Sequence, residues 1–271
     1  MAIKFDSNLA WKDAVAAVSA NREVLLALAG VFFLLPTLAF TLLFRVPEPA
    51  AGMTAEQQAQ MTLDFLTSAL PLIIPMAILQ LAGTLALLTL LTDRARPTVG
   101  QAIRQGFSGM VPYFISQMLF GMALGLGGGV LLGVAAASGS QALASLILAV
   151  VLAAAVYVMI RIALVPTTIA MERERNPVAA LRRSWNLTRG NAGRIALFFV
   201  VLMIALLVMT ALLQILIGSL MLILTGAEGA RVGVGIVSSA ISAVITLYFV
   251  AVLASIHKQL AGTSNVDEVF D

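Results

Sequence analysis

Uncharged apolar runs about as long as a bilayer is thick recur along this chain, and no other feature limits its fold as strongly. A helix needs roughly 20 apolar residues to cross the hydrocarbon core of a membrane. The first such run, Val24 to Phe44, contains no charged residue. The whole chain is 61% hydrophobic and 11% charged, whereas soluble domains carry about 25% charged residues. We therefore expect an all-α polytopic membrane protein.

Six runs have this length, so the sequence predicts six transmembrane helices in a single integral membrane domain covering residues 1–271. The predicted spans are about 24–44, 63–91, 110–136, 142–171, 195–224 and 232–256. Three short amphipathic stretches, at about 6–23, 97–109 and 177–190, are predicted to be helices on the cytoplasmic membrane surface. A surface helix followed by two spans therefore occurs three times, which suggests a threefold internal repeat.

The basic residues are unevenly distributed between the two ends of the predicted spans. Only Arg45 and Arg231 lie on the side opposite the termini. The side of the termini carries Lys4, Lys12, Arg22, Arg94, Arg96, Arg104, Arg173, Arg175, Arg182, Arg183, Arg189, Arg194 and Lys258. Because lysine and arginine are enriched in cytoplasmic loops, both termini are predicted to be cytoplasmic.

Arg161 is the one basic residue within a predicted span. A charge at the centre of a bilayer costs at least about 2.5–3.5 kcal/mol on insertion scales. Arg161 lies five residues before Pro166 and one turn after Tyr157. It therefore either extends towards the cytoplasmic surface or bonds to backbone carbonyls, or else it serves a functional cavity. In the latter case Arg161 and Tyr157 would hold a lipid phosphate or another anion.

The stretch that follows Arg161 carries the richest polar pattern in the chain. Asn176 and Pro177 are a helix cap and a first helical residue, and Gly190-Asn191 is a stop signal. Trp185, like Trp11 near the N-terminus, is of the type that anchors a protein at the interface. Four arginines, Arg182, Arg183, Arg189 and Arg194, either fix the topology or bind anionic lipid or a partner.

A stripe of small residues occupies the third predicted span. Gly121, Gly125, Gly129 and Gly133 are each four residues apart, the spacing that lets helices approach closely in lipid. This helix-packing face is predicted either to pack within the chain's own bundle or to bind a partner or a second copy.

The residues of the central stretch also suggest a family. An arginine in a span and a proline are followed by Ile169-Ala170, Glu172, Asn176-Pro177, Ala180-Leu181, Arg183-Ser184-Trp185, Leu187-Thr188 and Gly190-Asn191. This pattern resembles the membrane domain of bacterial glycerophosphoryl diester phosphodiesterases and its stand-alone six-span relatives. The resemblance implies a protein of the bacterial inner (cytoplasmic) membrane. It does not imply the phosphodiesterase reaction, which belongs to a separate soluble barrel domain, and it supplies no catalytic residues.

Composition also bears on the class of function. One histidine and no cysteine leave no basis for a metal site or a catalytic triad, so we predict no enzyme, no metal and no cofactor. A non-enzymatic accessory or scaffold protein that organises lipid or a membrane complex fits best. A small transporter, channel or lipid-handling protein with an anion site at Arg161 is the alternative. Anionic lipids, other membrane proteins or a second copy are the expected partners, and nucleic acid is not.

Overall fold

A computed structural model describes residues 4–47, 49–92 and 97–262, and every regular element within these ranges is helical. Arg94 and Arg96, which the charge pattern placed at the cytoplasmic side, lie outside the described residues. The elements are α1 (Ser7–Ala20), α2 (Arg22–Ala29), a π-helical turn (Gly30–Leu34), α3 (Leu35–Leu43), α4 (Ala55–Thr92), α5 (Val99–Ala137), α6 (Gln141–Ile162), α7 (Val165–Met171), α8 (Pro177–Leu187) and α9 (Ala192–Ala261).

Five helical stretches in the described part of the chain are long and apolar enough to cross a membrane. They are Arg22–Leu43, Ala55–Leu91, Val99–Ala137, Gln141–Met171 and Ala192–Ala261. The first joins α2, the π-helical turn and α3, and the fourth joins α6 and α7. The fold is therefore that of an all-helical protein with several potential membrane-spanning helices.

The last of these stretches bends back on itself at Gly226. The backbone of Gly226 has φ 72° and ψ −175°, a conformation that glycine adopts without a steric penalty. On either side of it, the Gln214 side-chain amide lies 3.2 Å from the Ser238 hydroxyl, and Gly218 lies against Val234. These pairings are antiparallel, so the two halves of α9 form a helical hairpin. The halves coincide with the predicted spans 195–224 and 232–256, and two bilayer crossings here remain a prediction.

One predicted boundary is wrong, and one predicted span, 142–171, agrees with the candidate span Gln141–Met171 but contains a break. The surface helix expected at 97–109 is not a separate element, because α5 runs without interruption from Val99, where Thr98 and Gln101 form a capping box, to Ala137. No second surface helix of the expected repeat therefore stands apart from its span. The span expected at 142–171 is broken between Ile162 and Val165. Pro166 has no N–H to bond the carbonyl four residues earlier, which ends the helix at this point.

Contacts divide the chain into two compact units. Unit 1 consists of the described residues within Met1–Ala20, Thr84–Met203 and Tyr248–Asp271. It holds α1, the end of α4, α5 to α8 and both ends of α9. Unit 2 consists of Asn21–Gly83, without residue 48, and Ile204–Leu247. All the residues discussed as a candidate site belong to unit 1.

Candidate functional site

Helix α8 covers the break between α6 and α7. The hydroxyl of Ser184 donates to the carbonyl of Arg161 at 2.9 Å and accepts from the backbone N–H of Leu164 at 3.2 Å. The Thr188 hydroxyl lies 3.3 Å from the same carbonyl. Ser184 and Thr188 are fully buried. Two side chains, Ser184 in α8 and Thr188 directly after it, thus serve as hydrogen-bond partners for backbone groups at the break between α6 and α7.

The start of α8 is built as the sequence predicts. The side-chain oxygen of Asn176 accepts from the backbone N–H groups of Val178 and Ala179, at 3.0 and 3.2 Å, and Pro177 is the first helical residue. The helix packs inwards through Ala180, Ser184 and Leu187 and leaves Val178 and Trp185 exposed. Val178 is 59% exposed and Trp185 is 38% exposed. A lipid environment suits such a distribution.

Arg161 is buried beneath this helix. The residue is 4% exposed, so its side chain does not extend to the surface of the protein. The central carbon of its guanidinium lies 4.4 Å from the centre of the Trp185 ring and 6.0 Å from that of Tyr157. Within the described residues its Nε has no hydrogen-bond partner, and no carboxylate forms an ion pair with it. No hydrogen bond from its side chain to a backbone carbonyl is seen in the described residues, and whether Arg161 extends towards the membrane surface or serves a functional cavity stays a prediction.

A second polar cluster joins the ends of three helices. The Nε of Arg183, in α8, donates to both carboxylate oxygens of Glu172 at 3.1 and 3.0 Å. Glu172, at the end of α7, also lies 3.3 Å from Nε2 of His257 in α9. On the far side of the imidazole, Nδ1 lies 3.1 Å from the Thr167 hydroxyl. The cluster therefore fastens α7, α8 and the end of α9 to one another.

His257 lies between two oxygen-bearing side chains. The Thr167 hydroxyl, which donates to the carbonyl of Leu164 at 2.6 Å, lies on the side of Nδ1. The Glu172 carboxylate lies on the side of Nε2. Both ring nitrogens of His257 therefore have a polar partner within the cluster.

The same contacts set the ionisation of Glu172. Burial raises the pKa of this carboxyl, but the hydrogen bond and charge of His257 and those of Arg183 lower it by more. The pKa of Glu172 consequently lies below its ordinary value. Arg183 is engaged here with Glu172, and the lipid-binding role that the sequence suggested for it stays a prediction.

The remaining candidate arginines are on the surface. Arg182, Arg189 and Arg194 are exposed, and none forms an ion pair with another residue in the described ranges. Trp11 is also exposed, at 38%, and stacks on Tyr248 with ring centres 6.0 Å apart. The three arginines and both tryptophans are thus available to lipid or to a partner.

The glycine stripe does not pack against another helix of the chain. A Cβ placed on Gly121, Gly125, Gly129 or Gly133 would meet nothing within 4 Å among the described residues. The glycine of α5 that closely approaches α6 is Gly128, where a Cβ would lie 3.1 Å from Val151. No described atom thus lies close to the stripe, and packing within the chain's own bundle, against a partner or against a second copy stays a prediction.

Sequence reasoning missed the cluster at His257, and the signal was weak. Thr167 and Glu172 at the exit of one span and His257 at the end of another are consistent with contact, but they do not show that those two ends meet. In residues 4–47, 49–92 and 97–262, no three histidine, aspartate or glutamate side chains are grouped so that they could hold a metal ion.

Comparison with known proteins places the chain in a family. A family model described as a domain of unknown function (DUF7847) matches residues 9–260. Because the match covers most of the chain, the chain belongs to this family. No curated protein and no solved structure matches it.

Proposed function

We propose that this member of the family is a non-enzymatic integral protein of the bacterial inner membrane. It acts as an accessory or scaffold protein that organises anionic lipids, or a membrane protein complex, at the cytoplasmic face. The observation that carries the proposal is the set of exposed arginines on and after α8, which have no acidic partner in the described chain. These are Arg182, Arg189 and Arg194.

The rigid attachment of α8 supports a binding role for this surface. Ser184 ties the helix to α6, and Arg183 ties it to Glu172, so the neighbouring arginines are held on a fixed scaffold. Trp185 and Val178 add exposed apolar surface next to them. Each arginine near an anionic membrane surface is worth about 1 kcal/mol. Three of them together favour anionic lipid by about 3 kcal/mol, before screening by salt.

The proposed topology has six crossings, three cytoplasmic amphipathic segments and both termini in the cytoplasm. Two observations support it. The helical hairpin at Gly226 supplies two antiparallel segments where the sequence has two apolar runs, and Arg45 and Arg231 are the basic residues assigned to the opposite side. The resemblance to the membrane domain of glycerophosphoryl diester phosphodiesterases belongs to the same proposal, and it supports a bacterial inner-membrane location.

An accessory role for a partner protein is part of the proposal, and the open face of α5 supports it. Gly125 and Gly129 have no neighbour of their own chain within 4 Å of a Cβ position in the described structure. A partner helix could approach this face closely. The leucine variants Gly125→Leu and Gly129→Leu should then lose a co-purifying protein. A small carrier or channel is the alternative function, and the buried cation of Arg161 is the observation that favours it.

Gentle extraction of the protein from its own membrane, followed by mass spectrometry of the bound lipids and proteins, tests the proposal. The wild type should retain anionic lipid in excess of its share of the membrane. The triple variant Arg182→Gln, Arg189→Gln, Arg194→Gln should lose most of that excess, because the charge that attracts the headgroups is gone.

The matched control is the double variant Arg45→Gln, Arg231→Gln. Both arginines pair with Glu228 on an exposed surface, and exposed ion pairs contribute little to stability. This variant should retain anionic lipid at the wild-type level. Equal retention of anionic lipid in the wild type and the triple variant would contradict the proposed role of Arg182, Arg189 and Arg194.

A further inference from the structure

Arg161 is a buried cation whose counter-charge the described chain does not provide. The residue is 4% exposed and its Nε is buried without a hydrogen-bond partner. A guanidinium stays charged in proteins, so it cannot avoid the penalty of burial by losing a proton. An unpaired buried charge is strongly unfavourable, and an anion from outside the chain would remove this penalty.

The carboxylates of unit 1 are committed elsewhere or lie on the surface. Glu172 is held by Arg183 and His257. Glu174 accepts from the backbone N–H of Asn176, and Asp6 accepts from the N–H groups of Asn8 and Leu9. Asp13 is exposed on α1 and forms no ion pair in the described structure. No described carboxylate of unit 1 is therefore placed to neutralise Arg161, and a ligand anion would supply the missing charge.

Two partly exposed aromatic residues, Tyr157 and Trp185, lie next to Arg161. Trp185 provides a ring face against the guanidinium, 4.4 Å from its central carbon. Tyr157 and Trp185 meet edge to face with ring centres 6.1 Å apart, and both remain partly exposed, Tyr157 at 50%. The N–H donors of arginine match the oxygens of a phosphate in a bidentate geometry.

The position along the helix matches the depth of lipid headgroups. Arg161 is the penultimate residue of α6, and the seven-residue α7 separates it from Glu172 and the charged residues that follow. A helix of this length spans about 10 Å, so Arg161 lies within reach of the polar surface region of a bilayer.

We propose that Arg161, with Tyr157 and Trp185 at its edge, forms a binding site for one phosphate oxyanion, carried by a phospholipid headgroup or by a free phosphate. This inference rests on the proposed lipid-organising function and gives it a specific site. The exposed arginines Arg182, Arg189 and Arg194 attract anionic lipids in general, whereas Arg161 binds a single phosphate group.

Tryptophan fluorescence of the full-length protein in detergent tests the site. The chain has two tryptophans, and a Trp11→Phe background leaves Trp185 as the reporter. Phosphatidylglycerol should change its emission, and diacylglycerol, which lacks phosphate, should not. Arg161→Gln should weaken the apparent affinity by about tenfold to a hundredfold, because a charge-assisted hydrogen bond is lost. Arg161→Lys, which keeps the charge, should weaken it less.

Two further arms identify the source of the phosphate and separate this inference from the proposed function. Inorganic phosphate that reproduces the emission change and competes with phosphatidylglycerol would assign the site to a soluble phosphate. The triple variant of Arg182, Arg189 and Arg194 should retain the Trp185 response. Loss of bulk anionic lipid in the triple variant together with an unchanged response in Arg161→Gln would overturn the Arg161 site and leave the proposed function standing.

A measurement on the wild-type sequence covers the case in which Arg161→Gln does not fold. Phosphatidylglycerol with a photoreactive group on its headgroup should label the peptides that contain Tyr157 or Trp185. Labelling confined to other peptides would overturn the proposal, as would an emission change with diacylglycerol equal to that with phosphatidylglycerol.

Discussion

Glu172 connects three helices through one carboxylate. It accepts from Arg183 in α8 and lies 3.3 Å from the imidazole of His257 in α9. Removal of one member of such a partly buried group leaves the others with uncompensated charge. The effect of Glu172 is to hold α8, and with it the exposed arginines, in place.

Acidification should weaken this connection. Because the pKa of Glu172 is lowered from 4.5 by the fold, the unfolded chain binds a proton more readily than the folded protein does. The stabilisation is complete above the ordinary value and is lost as the pH falls through the lowered folded value. We expect the thermal unfolding midpoint of the wild type in detergent to decrease at pH values below 4.5. The midpoint of Glu172→Gln should depend less on pH in that range.

Asp13→Asn is the exposed control, and it should behave like the wild type. The same slope in Glu172→Gln as in the wild type would contradict this assignment.

Ser184 should matter for stability in a way that an exposed serine does not. Its hydroxyl serves the N–H of Leu164 and the carbonyl of Arg161 inside the protein. The variant Ser184→Ala leaves that N–H buried without a partner, which costs about 1–3 kcal/mol. Ser145, whose hydroxyl donates to Gln141 on an exposed part of α6, provides the control Ser145→Ala. Unfolding measured in mixed micelles should show the loss for Ser184→Ala, and equal stability of the two variants would rule out the proposed contact.

In unit 2, α4 packs closely against the π-helical turn at Gly83. A Cβ on Gly83 would lie 2.5 Å from the Cβ of Phe32, too close for either element to remain in place. Both positions are inside helices, so the approach depends on the missing side chain rather than on an unusual backbone. The packing of this pair of elements therefore depends on glycine at position 83.

The variant Gly83→Ala should lower the free energy of unfolding by about 1–3 kcal/mol because of overpacking. This result would exceed the gain of up to about 1 kcal/mol that alanine brings to a helix. Gly121→Ala, in α5, is the control, since a Cβ there meets no described atom within 4 Å. Its stability should equal or exceed that of the wild type. A stability of Gly83→Ala at or above the wild-type value would show that the two elements are not packed as described.

For the whole molecule, apolar length and turn chemistry predicted most of the elements. The first predicted span, 24–44, corresponds to Arg22–Leu43, and the predicted cap and first helical residue, Asn176 and Pro177, do start α8. These features are local, so the sequence carries them. The boundary between a surface helix and α5 was misjudged, because polar side chains at the start of α5 do not stop a helix that no backbone feature interrupts.

The contacts that make up the candidate site could not be predicted in the same way. Ser184 meets the carbonyl of Arg161 only because Pro166 opens the helix and α8 folds back over the gap. His257 meets Glu172 across 85 residues of sequence. Such pairs depend on which helix ends become neighbours, and one sequence with one histidine offers no pattern that identifies them.

The most direct test of the proposed function is the lipid composition bound by the protein in nanodiscs that contain equal amounts of phosphatidylglycerol and phosphatidylethanolamine. At low salt, the wild type should enrich phosphatidylglycerol at its surface, and the triple variant Arg182→Gln, Arg189→Gln, Arg194→Gln should not. The enrichment should shrink as salt screens the arginines. A bound lipid composition equal to that of the bulk bilayer in both proteins, at low and high salt, would contradict the account.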